Sequence, residues 1–90
     1  MTNSVDQEIL DITQEECAEV IQAISKIRRF GYLSKHPDST QTNRQHLEEE
    51  IGDLMCMVDL MRESGMIDWA EVIEHSDNKR EKLKKWSNIK

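Results

Sequence analysis

Apolar residues recur three and four positions apart in three segments of the chain, the spacing that places them on one face of an α-helix. These segments are approximately residues 5–30, 43–63 and 69–86. Gly31 follows the first segment directly and is the residue type most common just beyond a helix C-terminus. The connection at residues 32–43 is polar and contains the only proline. No segment alternates with the period of a strand, so the pattern predicts an all-α fold.

Capping motifs refine the predicted helix ends. Thr42 followed by Gln45 matches a capping box, in which each side chain bonds the other residue's backbone N–H group, and it predicts the start of the second helix. Thr13 followed by Glu16 matches the same motif inside the first segment. The pattern therefore leaves open a break in the first helix near Ile12.

The size and composition predict one small domain, residues 1–90, that finishes burying its core in an oligomer. Apolar residues make up 37% of the chain and charged residues 33%, which is respectively below and above the usual shares. A domain of this length buries only about 60–65% of its unfolded surface. We expect an antiparallel helical hairpin plus a C-terminal helix, which together complete a four-helix-bundle-like core by forming a homodimer or a homotetramer.

The charge distribution excludes some classes of partner. The net charge is −6, so no nucleic-acid partner is expected. No apolar run of eighteen residues occurs, so no membrane association is expected. The two cysteines, Cys17 and Cys56, form no C-x-x-C motif and fit a reducing compartment. We therefore expect a cytoplasmic protein.

Four acids carry the chemistry that the pattern suggests. Glu16 and Glu19 stand three residues apart on the first helix, and Glu50 and Asp53 repeat that spacing on the second. On a helical wheel, Glu16 and Glu50 fall inside the apolar arcs. If those arcs pack together, the carboxylates converge and repel one another unless a cation is bound. Oxygen-only ligands suit a hard divalent ion such as Mg²⁺.

Two other interpretations of these acids stay open. Glutamate pairs at this spacing are common on solvated helix faces, and lysines elsewhere in the chain could pair with them. His46 and Glu50 also stand four residues apart, a spacing that admits a zinc ion on one helix face.

The same residues carry a family resemblance. The first helix reads E-E-C-A-E-V-I-Q-A-I-S-K and the second L-E-E-E-I-G-D-L-M-C-M-V-D-L-M. This E-E-x-x-E pattern followed by E-x-x-D resembles the MazG-like all-α nucleoside triphosphate pyrophosphohydrolases over about residues 8–86. The resemblance implies Mg²⁺-dependent cleavage of a (d)NTP to a (d)NMP and pyrophosphate, with Mn²⁺ as a possible substitute. The interval between Glu19 and Glu50 is slightly longer than is typical of the family.

Carried over by position, the resemblance implies that Glu16, Glu19, Glu50 and Asp53 hold the metal. Their neighbours Glu15 and Glu49 are candidates for the catalytic base, although both could be ordinary exposed acids. Candidate substrate-binding residues are basic, apart from one aromatic that would stack on the base: Lys26, Lys79, Lys82, Lys85 and Trp86.

Two alternative functions also fit the pattern. The first is phosphoribosyl-ATP pyrophosphatase, a small helical enzyme of histidine synthesis, although its second helix carries an alanine-rich word where this chain has Ile51-Gly52. The second is a non-catalytic helical interaction module. Of the three functions, the one that we expect is that of a nucleoside triphosphate pyrophosphohydrolase that acts in nucleotide-pool housekeeping.

Overall fold

The computed structural model describes residues 4–90, which form three α-helices. They are α1 (Ser4–Phe30), α2 (Asn43–Glu63) and α3 (Trp69–Trp86). Within residues 4–90 the only β-type pairing is one isolated antiparallel bridge between Lys35 and Thr42, so the all-α prediction is confirmed. Residues 1–3 of the expected domain lie outside the described part of the chain.

The helix starts follow the capping chemistry. Thr42 is the N-cap of α2 and both halves of the predicted capping box with Gln45 are present. In α1, Thr13 plays a different role, because its hydroxyl donates to the carbonyl of Ile9 at 2.6 Å. A threonine that bonds the preceding turn in this way sits in a helix interior rather than at a cap. The first helix therefore runs without a break at Ile12.

α1 and α2 form the predicted antiparallel hairpin. Asn43, at the start of α2, contacts backbone carbonyls at the end of α1, whereas Glu50 and Asp53, further along α2, lie beside Glu16 in the middle of α1. Along each helix, one set of enclosed positions is spaced alternately four and three residues apart, which is the spacing of a helix–helix seam. They are Ile9, Thr13, Glu16, Val20, Ala23 and Ile27 on α1, and Asn43, Leu47, Glu50, Leu54, Met57 and Met61 on α2.

Asn43 closes the hairpin at its loop end. The residue is 8% exposed, and its Nδ2 group donates to the Gly31 carbonyl at 3.0 Å and lies 3.5 Å from the Lys26 carbonyl. Its backbone N–H donates to the Ser34 carbonyl. The buried amide therefore ties the last turn of α1 and the glycine that follows it to the start of α2.

α3 projects from the hairpin instead of packing along it. The substantial helix–helix packing within residues 4–90 is between α1 and α2, and the molecule is flat, 44 × 39 × 15 Å. Near its start α3 is anchored by Trp69, whose ring lies 5.1 Å from the Arg62 guanidinium. At its far end Trp86 is 79% exposed. No helix in residues 4–90 has the length and hydropathy to cross a membrane.

The hairpin buries little apolar surface of its own. Within residues 4–90 the buried hydrophobic residues are Ile9, Ala23 and Met57. A second stripe of apolar residues runs down one side of the hairpin and is exposed. We call it the apolar flank, and its residues are Leu10, Cys17, Ile21, Ile24, Ile51 and Met55. Each of the two helices thus has an apolar arc wider than one neighbour covers.

The seam should tolerate little added volume at Ala23, which is fully buried. We expect Ala23→Leu to lower the free energy of unfolding by about 1–3 kcal/mol, because an added isobutyl group forces the two helices apart. Ala18 is an exposed alanine of the same helix, and Ala18→Leu should change the same quantity by less than about 0.5 kcal/mol. Urea titrations monitored by circular dichroism compare the two variants. Equal losses of stability would show that α1 and α2 do not meet at Ala23.

Candidate metal centre

The acids that the sequence placed inside the apolar arcs lie at the middle of the α1–α2 seam. One carboxylate oxygen each from Glu16, Glu50 and Asp53 lies within 4.8 Å of the others. We call these three residues the acidic cluster. Glu50 is only 9% exposed, which is rare for a glutamate without a compensating charge. α1 contributes one member and α2 contributes two, because the antiparallel arrangement brings the middle of both helices to the same level.

Glu16 shows the electrostatic cost of this arrangement. Its Oε2 atom is buried and has no hydrogen-bond partner. Burial raises the pKa of Glu16, and the negative charges of Asp53 and Glu50 raise that pKa further. A buried oxygen without a donor is unfavourable. A divalent cation beside this atom would supply the missing positive partner, so the residues present suit a metal ion bound by oxygen.

A second group of potential ligands shares Glu50. His46 Nε2 lies 3.2 Å from Glu50 Oε1, and the ligand atoms of His46, Glu49 and Glu50 lie within 4.8 Å of one another. The two helical turns from residue 46 to residue 53 therefore present two overlapping sets of donors. Since a hydrogen bond from a neighbouring side chain fixes the orientation of a metal-binding carboxylate, His46 is positioned to orient Glu50.

The remaining acids lie at the border of this centre. Glu19 is exposed and is not one of the three clustered carboxylates, yet its charge also contributes to the raised pKa of Glu16. Glu15, a candidate base, is exposed and contributes the smallest of these effects. Glu49 is exposed and its Oε1 accepts a hydrogen bond from Gln41 Nε2 at 3.2 Å. The ligand role of Glu19 and the base roles of Glu15 and Glu49 stay predictions.

The candidate substrate-binding residues fall into two places. Lys26 lies on α1, two turns beyond Glu19, where it lines two cavities beside the loop. The others, Lys79, Lys82, Lys85 and Trp86, lie on α3. Because α3 does not pack along the hairpin, one chain alone does not bring these four residues to the acidic cluster. Their role in substrate binding stays a prediction.

The acids and the apolar flank occupy opposite sides of the hairpin. Helical geometry sets residues about 100° apart around the axis. Around the axis of α1, the acids Glu15 and Glu19 are rotated away from the seam in one direction, and Leu10 and Ile21 are rotated in the other. On α2, Asp53 is rotated away from the seam in the same direction as the α1 acids, and Ile51 is rotated in the opposite direction. For antiparallel helices these displacements place Glu15, Glu19 and Asp53 on one side of the hairpin and the apolar flank on the other.

Comparison with known proteins gives one match. The model of the family described as MazG nucleotide pyrophosphohydrolase domain matches residues 5–87, which is nearly the whole chain and includes the acidic cluster. No curated protein matches the chain, and no solved structure does.

The raised pKa of Glu16 predicts a pH-dependent stability when no divalent cation is present. Folding raises this pKa above the ordinary value of 4.5, so the folded state holds the Glu16 proton more tightly than the unfolded state does. Below pH 4.5 both states are protonated and the group has no effect. As pH rises through the raised pKa, the folded state loses stability. Glu16→Gln removes this loss. In EDTA, the difference between the unfolding midpoint of the variant and that of wild type should therefore increase from pH 4 to pH 7.

Glu15→Gln is the matched control, because Glu15 is its exposed neighbour on the same helix. Its unfolding midpoint should follow that of wild type across the same pH range. If the difference between Glu16→Gln and wild type stayed constant with pH, the cluster would not be electrostatically strained.

Proposed function

The chain belongs to the MazG nucleotide pyrophosphohydrolase family, and we propose that it hydrolyses nucleoside triphosphates to nucleoside monophosphates and pyrophosphate with Mg²⁺ as its metal. The observation that carries this proposal is the acidic cluster, where Glu16, Glu50 and Asp53 converge at the middle of the α1–α2 seam. Three carboxylates at this distance repel one another, and a stable hairpin with them at its centre requires a counter-charge.

The donor set favours a hard metal ion. The cluster supplies oxygen ligands from Glu16, Glu50 and Asp53, and Glu19 is close enough to affect the pKa of Glu16. Mg²⁺ takes a few carboxylates and fills its other positions with water and substrate phosphates. Mn²⁺ accepts the same ligands. The His46 nitrogen lies within hydrogen-bonding distance of Glu50 but is not one of the three donors of the acidic cluster, which are all oxygens.

The reaction adds water across the bond between the α- and β-phosphates. When bound, Mg²⁺ supplies positive charge that offsets the charge developing on the phosphate oxygens. Glu16, Glu50 and Asp53 would hold the ion. A carboxylate outside this set would accept the proton of the attacking water. Glu49 suits this role, since it adjoins Glu50 and is held by Gln41, and Glu15 is the corresponding acid on α1.

The leaving pyrophosphate needs a positively charged side chain. Lys26 is the cation on α1 nearest to the acids in sequence and lines the cavities at the loop end of the hairpin. Lys79, Lys82 and Lys85 of α3 would serve only if assembly or a movement of α3 brought them to the cluster. Removal of unwanted nucleotides from the cellular pool is the role that this chemistry serves in our proposal.

We further propose that the functional unit is a homodimer that covers the apolar flank. Ile21 is 68% exposed and Met55 62%, and with Ile24 and Ile51 they lie on the same side of the two helices. In a four-helix bundle every helix contacts two neighbours, which explains why each apolar arc is wider than its partner helix covers. Since the acids lie on the other side of the hairpin, a dimer can form without desolvating them further.

The hydrolase proposal predicts pyrophosphate release that depends on Mg²⁺ and on Glu50. In a screen over standard and modified (d)NTPs, we expect Glu50→Gln to reduce kcat/KM by at least about 100-fold, because even residues behind a metal ligand are worth 10–100-fold. Glu48→Gln is the matched control: Glu48 is exposed and lies near Arg44. Its activity should remain within about twofold of wild type, since an exposed ion pair is worth roughly 0–1 kcal/mol.

A second outcome separates this proposal from a non-catalytic module. Mg²⁺ should raise the thermal midpoint of wild type and should have a much smaller effect on Glu50→Gln. Equal melting curves with and without Mg²⁺, together with no pyrophosphate from any triphosphate, would refute the enzyme.

The dimer proposal predicts that a charge on the apolar flank dissociates the protein. We expect Ile21→Asp to shift the sedimentation coefficient from that of a dimer to that of a monomer, because a buried carboxylate would face an apolar partner surface. Leu33→Asp is the control: Leu33 is 77% exposed and lies in the loop, away from the flank. A wild-type protein that sediments as a monomer at micromolar concentration would contradict the proposal.

A further inference from the structure

Two adjoining cavities open at the loop end of the hairpin, outside the acidic cluster. The outer cavity, of about 170 Å³, is bounded by Phe30, Pro37 and the loop residues Ser34, Lys35 and His36. The inner cavity, of about 240 Å³, is bounded by loop side chains and by His46 of α2. Lys26, His36 and Asn43 line both cavities, so the two form one groove. We call it the loop groove.

The two halves of the loop groove differ in chemistry. The outer half presents the rings of Phe30 and Pro37, which are flat and apolar. The inner half presents hydroxyl and amide groups from Ser39 and Gln41. A ligand that matches both halves has a planar, weakly polar end and a strongly polar end. Small-molecule sites commonly combine apolar walls with a few placed polar groups in this way.

The inner end of the groove leads directly to the acids. His46, which lines it, lies 3.2 Å from Glu50 of the acidic cluster. Gln41, on the opposite wall, donates a hydrogen bond to Glu49. Along α2, Asn43 and Glu50 are seven residues apart, about 10 Å of helix rise. The groove is therefore continuous with the proposed metal centre and is not a separate surface.

The walls of the groove are held in place before any ligand binds. The buried amide of Asn43 bonds the Gly31 carbonyl, and the Lys35–Thr42 bridge closes the loop. His36 Nδ1 accepts a hydrogen bond from the backbone N–H of Asp38 at 3.2 Å, so Nε2 is the donor of the neutral ring. Pre-organised walls reduce the ordering cost of binding.

We propose that the loop groove is the nucleoside subsite of the enzyme, with the nucleobase against Phe30 and Pro37 in its outer half. Lys26 lies between the two halves and pairs with the phosphates as they pass His46 toward the acidic cluster. The nucleobase is then contacted by α1 and the loop of the same chain, and not by Trp86 at the far end of α3. This inference rests on the proposed function for the identity of the ligand.

The test compares two aromatic residues of nearly equal exposure. Phe30 is 60% exposed and lines the groove, whereas Tyr32 is 61% exposed and lines neither cavity. Binding of a non-hydrolysable α,β-methylene dNTP with Mg²⁺ is measured by calorimetry for Phe30→Ala, Tyr32→Ala and wild type. We expect Phe30→Ala to weaken binding about tenfold, the typical loss of one aromatic stack on a base. Tyr32→Ala should bind as wild type does.

Inorganic tripolyphosphate, which has no base, is the second probe. Phe30→Ala should bind it with unchanged affinity, because the phosphates do not reach the outer half of the groove. Phe30→Trp should restore nucleotide binding, because it keeps an aromatic face. Equal effects of Phe30→Ala and Tyr32→Ala, or an equal loss for tripolyphosphate, would overturn the subsite.

These measurements also separate the subsite from the hydrolase proposal. Nucleotide binding that depends on Phe30 without any release of pyrophosphate would uphold the groove and refute the hydrolysis. If wild type hydrolyses nucleotides and Phe30→Ala does so with the same KM and kcat, the hydrolase proposal stands and the subsite proposal is overturned. A wild-type protein that binds no nucleotide would overturn the subsite outright.

Discussion

Mutual repulsion among carboxylates inside a helix–helix seam is the constraint on which this structure depends. The α1–α2 hairpin is the substantial tertiary contact of residues 4–90. Glu16 and Glu50 occupy the middle of its seam, where a pair of apolar side chains would stabilise the packing. The pKa of Glu16 is raised by its own burial and by its neighbours. A small protein has little stability to lose. The proposed metal ion accounts for the position of these acids, whereas the packing of the hairpin does not.

The rest of the hairpin compensates for this weak centre at its ends. Ala23, with no exposed surface, allows the two helices to approach closely on one side of the acids. Asn43 then fixes the loop end by satisfying carbonyls of α1 from the first turn of α2. The contacts at Ile9 and Met57, on the other side of the cluster, are apolar. Packing on both sides holds the acids at a fixed separation, as a metal site requires.

Local signals in the sequence were sufficient for the helices and for the acids. The capping box of Thr42 and Gln45 involves residues three apart, so the sequence alone predicts the start of α2. The positions of Glu16 and Glu50 follow from helical periodicity in the same way. The Thr13 motif was misleading because a hydroxyl in mid-helix can bond the preceding turn, as it does to Ile9. Sequence patterns do not distinguish the two uses.

The features that the sequence did not reveal depend on the path of the loop. The burial of Asn43 and the cavity beside Phe30 arise where residues 32–42 fold back on the end of α1, and no periodicity describes that path. A glycine in mid-helix could also indicate a close approach by a neighbouring element, but among residues 4–90 nothing lies within 4 Å of a Cβ built at Gly52. Gly52 lies on the side of α2 away from α1, beside exposed Met55 and Leu60.

The separation of the two sides of the hairpin links assembly to chemistry in a specific way. The acids and the loop groove occupy one side, and the apolar flank occupies the other. A dimer that covers the flank stabilises α1 and α2 without contacting the carboxylates, whereas a cation stabilises the acidic side without contacting the partner. Both ligands favour the same folded hairpin, so each should strengthen the binding of the other through folding alone. In the proposed dimer this coupling would depend on the small core of the single chain, because a more stable hairpin would be folded without either ligand.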